Sequence, residues 1–225
     1  MGRSRSSSAA ERDLGKSIKF FGRASKKREP AELKKDWEQL KKTKDGDISD
    51  VAFTNLTLPC DIETFYKKFW SNSAPHPISD YQRDVIKDKD IKTDEWEEAP
   101  DGFTLERVID YMHPSDAPIG PPMAHSKKSQ QLQQYGEHGA MLKTVTQVED
   151  VPMADCFLLE DRILVEPKGT SGGEEKVEVT VTAEFGIRFV KSTVWKRIIR
   201  KNAKGGIAKW LMGYSEFMKE KSSSF

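Results

Sequence analysis

Apolar and polar residues alternate most cleanly over 175–190, where Val177, Val179, Val181, Ala183, Phe185, Ile187 and Phe189 share one parity and Glu178, Thr180, Thr182, Glu184 and Arg188 the other. A period of two marks a strand with one dry and one wet face. Shorter runs of the same kind predict strands over 51–58, 91–97, 102–113, 139–149 and 156–166. The period lengthens to three and four in three places. Leu33, Trp37 and Leu40 predict a short helix after Pro30, either packed on the domain or lying outside it. Ile62, Phe65, Tyr66, Phe69 and Trp70 predict a second helix, capped by Asp61. Trp195, Ile198, Ile199, Ala203, Ile207, Trp210, Leu211, Tyr214, Phe217 and Met218 form one stripe on a long terminal helix beginning near Ser192. Gly205-Gly206 interrupts that stripe, and at about 1 kcal/mol per Gly relative to Ala it predicts a bend or break.

Turn chemistry joins these pieces. Ser79 or Asp80 can cap a short helix before Lys87, the Pro/Gly-rich stretch 114–122 forces an irregular connection, and the GTSGG at 169–173 suits a hairpin. Strands joined this way run antiparallel. The fold class that follows is α+β: a curved antiparallel sheet closed by a long C-terminal helix.

Composition narrows the picture. The chain has 225 residues, enough for one domain with tails, and 32% of them are charged. Nine basic residues against Glu11 and Asp13 make residues 1–28 an arm that cannot offset its ordering entropy, so disorder is expected over 1–30. A short helix and linker follow over 31–50, the folded domain over 51–220 and a tail over 221–225. The total charge is only +1, and the basic arm lacks interleaved aromatic platforms, so nucleic acid is not expected as a partner. Cys60 and Cys156 form no framework and read as reduced thiols. No stretch approaches the roughly 18 apolar residues of a membrane span, and the N-terminus lacks the apolar core of a signal peptide. A cytoplasmic, monomeric domain is expected.

Candidate chemistry is thin on the catalytic side. His76, His113, His125 and His138 lie too far apart for metal-ligand spacing, and no nucleophile elbow, phosphate loop or HExxH occurs. Neither catalysis nor a metal or cofactor is expected. The apolar parities instead mark a pocket wall. Phe103, Leu105, Ile109 and Tyr111 contribute from one strand, Phe157 and Leu159 from another, Phe185 and Ile187 from the last. Trp195, Ile198 and Ile199 join them from the helix. Trp96 is read as a residue buried against the helix or as part of an entrance lid. Arg107 shares the inward parity. Either it sits at the rim in a salt bridge, or it faces inward and needs a carboxylate or a polar ligand group as partner. Lys196, Arg197, Arg200, Lys201 and Lys204 form an acid-free basic face suited to an anionic membrane surface. The Pro/Gly segment 114–122 and the acidic connection 84–101 are the candidate gates.

Order and short motifs together resemble a known family. Trp96 in DEWEE, Arg107 and Tyr111 in ERVIDY, Gly120-Pro121 and the SQQL at 129–132 carry the first part. Asp150-Val151-Pro152 with Asp155 and Phe157, then Phe189, Lys191-Ser192-Thr193 and Trp195, carry the second. Over roughly 51–220 the chain resembles the VASt family of StART-like, helix-grip domains, to which the Lam and Aster sterol transporters belong. Pro122 and Arg200 depart from the residues common there. The resemblance implies a sterol or similar lipid bound between sheet and helix and carried between cytosolic leaflets without chemistry. It also implies a protein peripheral to membranes, at endoplasmic reticulum contact sites among others. Two other functions fit the same frame: a regulatory module that senses lipid or binds a protein, and an enzyme on a helix-grip fold.

Overall fold

The computed structural model describes residues 28–43, 46–115, 121–169 and 177–223. Most of the expected arm over 1–30, the centre of the 114–122 connection and nearly all of the GTSGG turn lie outside the described residues.

Helix α1 (Pro30–Lys42) starts on a proline, whose missing N–H is no loss in a first turn. It buries Trp37 against Tyr135, Met141 and Leu164 on the outer face of the sheet. Gly139 makes that approach possible, since a Cβ there would lie 2.3 Å from the Trp37 ring. Strand β1 (Ile48–Leu58) leads to α2 (Ile62–Phe69), which Asp61 caps by accepting the Thr64 N–H at 2.6 Å. Phe65, Phe69 and Trp70 are fully buried, as the three-and-four spacing requires. Helix α3 (Ile78–Tyr81) begins after Pro77 and runs into a π-helical turn over Gln82–Ile86, ended by Lys87 in the left-handed region. Ser79 and Asp80 are therefore inside this helix and do not cap it; the N-cap position is Pro77, whose ψ of 163° is extended and which offers no side-chain cap.

The sheet has eight strands in the order β1-β8-β7-β6-β5-β4-β2, with β3 paired to β4 beside β2, and every pairing is antiparallel. The expected strand over 91–97 is two strands, β2 (Lys89–Thr93) and β3 (Glu97–Glu98). Trp96 breaks it, turning inward to donate its indole N–H to the Trp70 carbonyl while its backbone N–H bonds Asn72. Strands β4 (Thr104–Pro114), β6 (Ala140–Val148), β7 (Phe157–Pro167) and β8 (Val179–Phe189) match their apolar runs. Strand β5 (Met123–Gln134) stands between β4 and β6 and has no apolar run to announce it.

Helix α4 (Lys196–Ser222) is continuous over 27 residues and passes through Gly205-Gly206 without a break. Burial of its second half explains this: Ile207, Leu211, Tyr214, Phe217 and Met218 fill the concave side of the sheet, and packing of an apolar face sustains a helix that propensity alone would interrupt. The first half differs. Trp195 and Ile198 are 49% and 52% exposed, because the first turns of α4 project past the sheet.

Candidate functional site

Cross-strand register divides the concave face into rows. The row Leu105, Leu132, Leu142, Ile163 and Ala183 is wholly apolar, and four of these five residues are fully buried. One step along the strands the row reads Arg107, Gln130, Thr144, Asp161 and Phe185, which is polar in all but its last member. The next is mixed: Ile109, Lys128, Thr146, Leu159 and Ile187. Beyond it stand Tyr111 paired with Ser126, and Phe157 paired with Phe189. Burial relaxes along this series. Leu159, Phe157 and Phe189 are only half-buried, so the grip opens toward the first half of α4.

Of the expected wall residues, the structure brings Leu105, Ile109, Tyr111, Leu159, Phe185 and Ile187 onto this face, with Phe157 at its open edge. Phe103 is not among them. It precedes β4 in a turn held by Asp101 and packs outside with Tyr135, under the Arg28 guanidinium at 4.1 Å. Trp195 and Ile198 do not reach the wall, and Ile199 is half-buried at its margin. Trp96 does reach it, packed on the main core.

The polar row is the part that apolar periodicity could not find. Arg107, 6% exposed, faces inward. Its Nε donates to Gln130 Oε1 at 2.8 Å and its guanidinium lies 4.1 Å from the Trp96 ring centre. Among the described residues it forms no ion pair, and its NH2 has no hydrogen-bond partner. Burial lowers its pKa to about 10, so it stays cationic at neutral pH. The Tyr214 hydroxyl lies in the same buried neighbourhood, within reach of the Trp70 side chain and of the Arg107 charge. Lys128 is buried with its ammonium 3.7 Å from the Trp210 ring centre, and its pKa is lowered by burial. Burial pushes the Asp161 carboxyl up to about 6, against the opposing pull of Lys128 and a Thr144 hydrogen bond. Asp88, also buried, is held by Gln82 and His113.

Nothing in this set resembles a nucleophile with its base. Among the described residues no group of three or more His, Cys, Asp or Glu is placed to hold a metal ion. The arrangement suits enclosure of an amphiphile: apolar rows for its body and a polar row for its head.

The basic residues at the start of α4 divide in use. Lys204 is bound to Asp50 of β1 at 2.6 Å, and Lys196 and Arg200 lie over the Phe189 ring. Arg197 and Lys201 are exposed beside Val194 and Ile198. Among the described residues no helix is long and apolar enough to cross a membrane. A groove of about 1020 Å³ at the opposite end of the sheet, by α2, is rimmed with charge from Asp61, Glu63, Lys67 and Glu137.

Comparison with known proteins agrees with this geometry. Residues 52–206 match the family model of the VAD1 Analog of StAR-related lipid transfer domain, VASt. Over 182 residues, 78% of this chain, the sequence is 24% identical to Protein VASCULAR ASSOCIATED DEATH 1, chloroplastic, of Arabidopsis thaliana, of whose length the match spans 29%.

Proposed function

This chain belongs to the VASt family of StART-like lipid-binding domains, and on that premise we propose that it encloses a sterol or similar lipid in the concave face and carries it between membranes without chemistry. The observation that supports this most is the change of character along the concave rows. The apolar row of Leu105 closes the inner end, the row of Arg107 offers polar groups, and the rows of Ile109 and Tyr111 lead to the half-buried edge at Phe157 and Phe189. A lipid lying along them places its head at the polar row and its body toward the opening. Apolar burial then supplies affinity at about 25 cal/mol per Å². The basic first turns of α4, with exposed Val194, Trp195 and Ile198, stand at that same end and would meet an anionic leaflet.

Two measurements test this. Mass spectrometry of the full chain purified from cells should find a co-bound lipid in stoichiometric amount. Transfer of a fluorescent sterol between vesicles should be lost in Leu159→Trp, which fills the mixed row. Transfer that persists in a folded Leu159→Trp variant, or a chain that never carries lipid, overturns the assignment.

A further inference from the structure

His125 stands on the outer face of β5 between two carboxylates. Its Nδ1 lies 2.8 Å from Glu149 Oε2 and its Nε2 lies 2.9 Å from Asp110 Oδ2. An ionised carboxylate only accepts, so both ring nitrogens must donate, and the imidazolium alone carries two N–H groups. A neutral ring would turn a lone pair on one of the two acids. The site therefore holds a proton, and Glu149 first and Asp110 second raise the pKa of His125 above the usual 6.5.

The charges around it are unevenly shared. Register sets Lys127 of β5 opposite Asp110 and Lys92 of β2 on its other side, with Lys89 of β2 opposite Met112, the cross-strand partner of His125. Asp110 thus keeps cationic neighbours whatever His125 does. Glu149 is followed by Asp150, and its side chain is ion-paired to His125. Loss of the proton therefore releases the Glu149 end.

Glu149 begins the connection 149–156 from β6 to β7, which carries two non-glycine residues in the left-handed region, Asp150 at φ 63° and Met153 at φ 64°. Such conformations persist where their surroundings hold them. This connection is tied at both ends. The Glu149 N–H donates to the His125 carbonyl at 2.7 Å, while Lys191 binds Asp155 at 2.6 Å and the Cys156 carbonyl accepts the Val190 N–H. Phe157 follows directly and pairs with Phe189 at the edge where the grip opens.

We propose that His125 is a proton-operated clamp: as the imidazolium it pins the start of the connection 149–156 to β4, and on losing its proton it frees that connection beside the open edge of the grip. The device concerns access to the concave face and does not depend on what the grip encloses. A group whose pKa is raised on folding stabilises the folded arrangement below its unfolded value, and that contribution is lost as pH rises through the folded value. The clamp is therefore closed below the usual 6.5 and opens as pH climbs past the raised value.

Histidine-selective NMR of the full chain, with the His125 signal assigned through His125→Gln, reads the pKa. Amide hydrogen exchange at pH 6.0 and pH 8.5, corrected for the intrinsic rate, reads the connection. The His125 pKa should lie above 6.5 and should fall in Glu149→Gln. Protection of 150–156 relative to β7 should drop severalfold at pH 8.5 in the parent, while both variants should show the lower protection at either pH. A His125 pKa at or below 6.5 overturns the clamp. So does protection that is equal at the two pH values in the parent, or a pH dependence that His125→Gln retains. Should that variant not fold, Glu149→Gln, at an exposed side chain, decides by the same reading. None of these measurements involves a lipid, so the clamp and the lipid-binding assignment fail separately.

Discussion

Asp161 shows what a buried charge does to this fold. Burial raises its carboxyl from 3.8 to about 6, with Lys128 and Thr144 pulling the other way. Between those values the folded chain holds a proton that the unfolded chain has released. Stability from this residue is therefore greatest below about pH 4 and declines as pH rises to about 6, above which the ionised buried carboxylate is a fixed cost. Asp161→Asn should flatten that decline. Urea unfolding of parent and variant at pH 4.5 and pH 6.5 should show the variant gaining on the parent by on the order of 1–3 kcal/mol at the higher pH. The double variant with Lys128→Met removes the partner cation as well and should show the same flat profile; a parent curve parallel to both would mean that Asp161 titrates normally. At this scale the sequence was legible where strand parity holds. Leu105, Ile109 and Tyr111 follow it, and Arg107 follows it into the interior, where it meets Gln130 and the Trp96 ring in place of a carboxylate. Phe103 escapes it because the alternation stops at the turn before β4, and Lys128 and Gln130 escape it because a polar side chain pointing inward leaves the same trace as one pointing to water.

The same cause hid a whole element. The inward positions of β5 are Ala124, Ser126, Lys128, Gln130 and Leu132, so the central strand that carries much of the polar row lacks the alternation that exposes its neighbours. Its place is fixed by β4, which pairs with Met123–Gln133, and β6, which pairs with Ser126–Gln134. Helix α4 errs in the opposite direction, because a local signal predicted a break that tertiary burial overrides. An alanine Cβ at Gly205 or Gly206 would meet no atom within 4 Å. Gly205→Ala and Gly206→Ala should each stabilise the protein by about 0.5–1 kcal/mol, read as a higher midpoint in thermal melts, since the helix geometry is kept and the unfolded chain loses freedom. Gly139→Ala should act the other way. Its Cβ would lie 2.3 Å from the Trp37 ring, so α1 must shift from the outer face at a cost of typically 1–3 kcal/mol, with Trp37 emission moving to longer wavelength.

For the whole molecule, a formal charge of +1 gives no long-range attraction to an anionic membrane, so any docking must come from where charge and apolar surface coincide. They coincide at the end where the grip opens. Val194 is 95% exposed, Trp195 and Ile198 are about half exposed, and Arg197 and Lys201 project beside them. The opposite end, by α2, pairs its basic residues with acids, as in Lys67 with Glu63. Under the proposed function, this asymmetry would turn the open end of the grip toward the leaflet. Each basic residue near an anionic surface contributes about 1 kcal/mol, so Arg197→Ala and Lys201→Ala should each weaken binding to phosphatidylserine vesicles about fivefold. The loss should shrink as salt is raised. Trp195→Ala should weaken binding at every salt concentration, because its contribution is apolar burial. Lys204→Ala should do far less than either, since its ammonium is held on Asp50 at 2.6 Å and is not free to meet a phosphate. Vesicle flotation across a salt series separates these cases. Equal losses from Lys204 and Arg197 would mean that a diffuse basic face acts as a whole, and the orientation drawn from the individual contacts would fall.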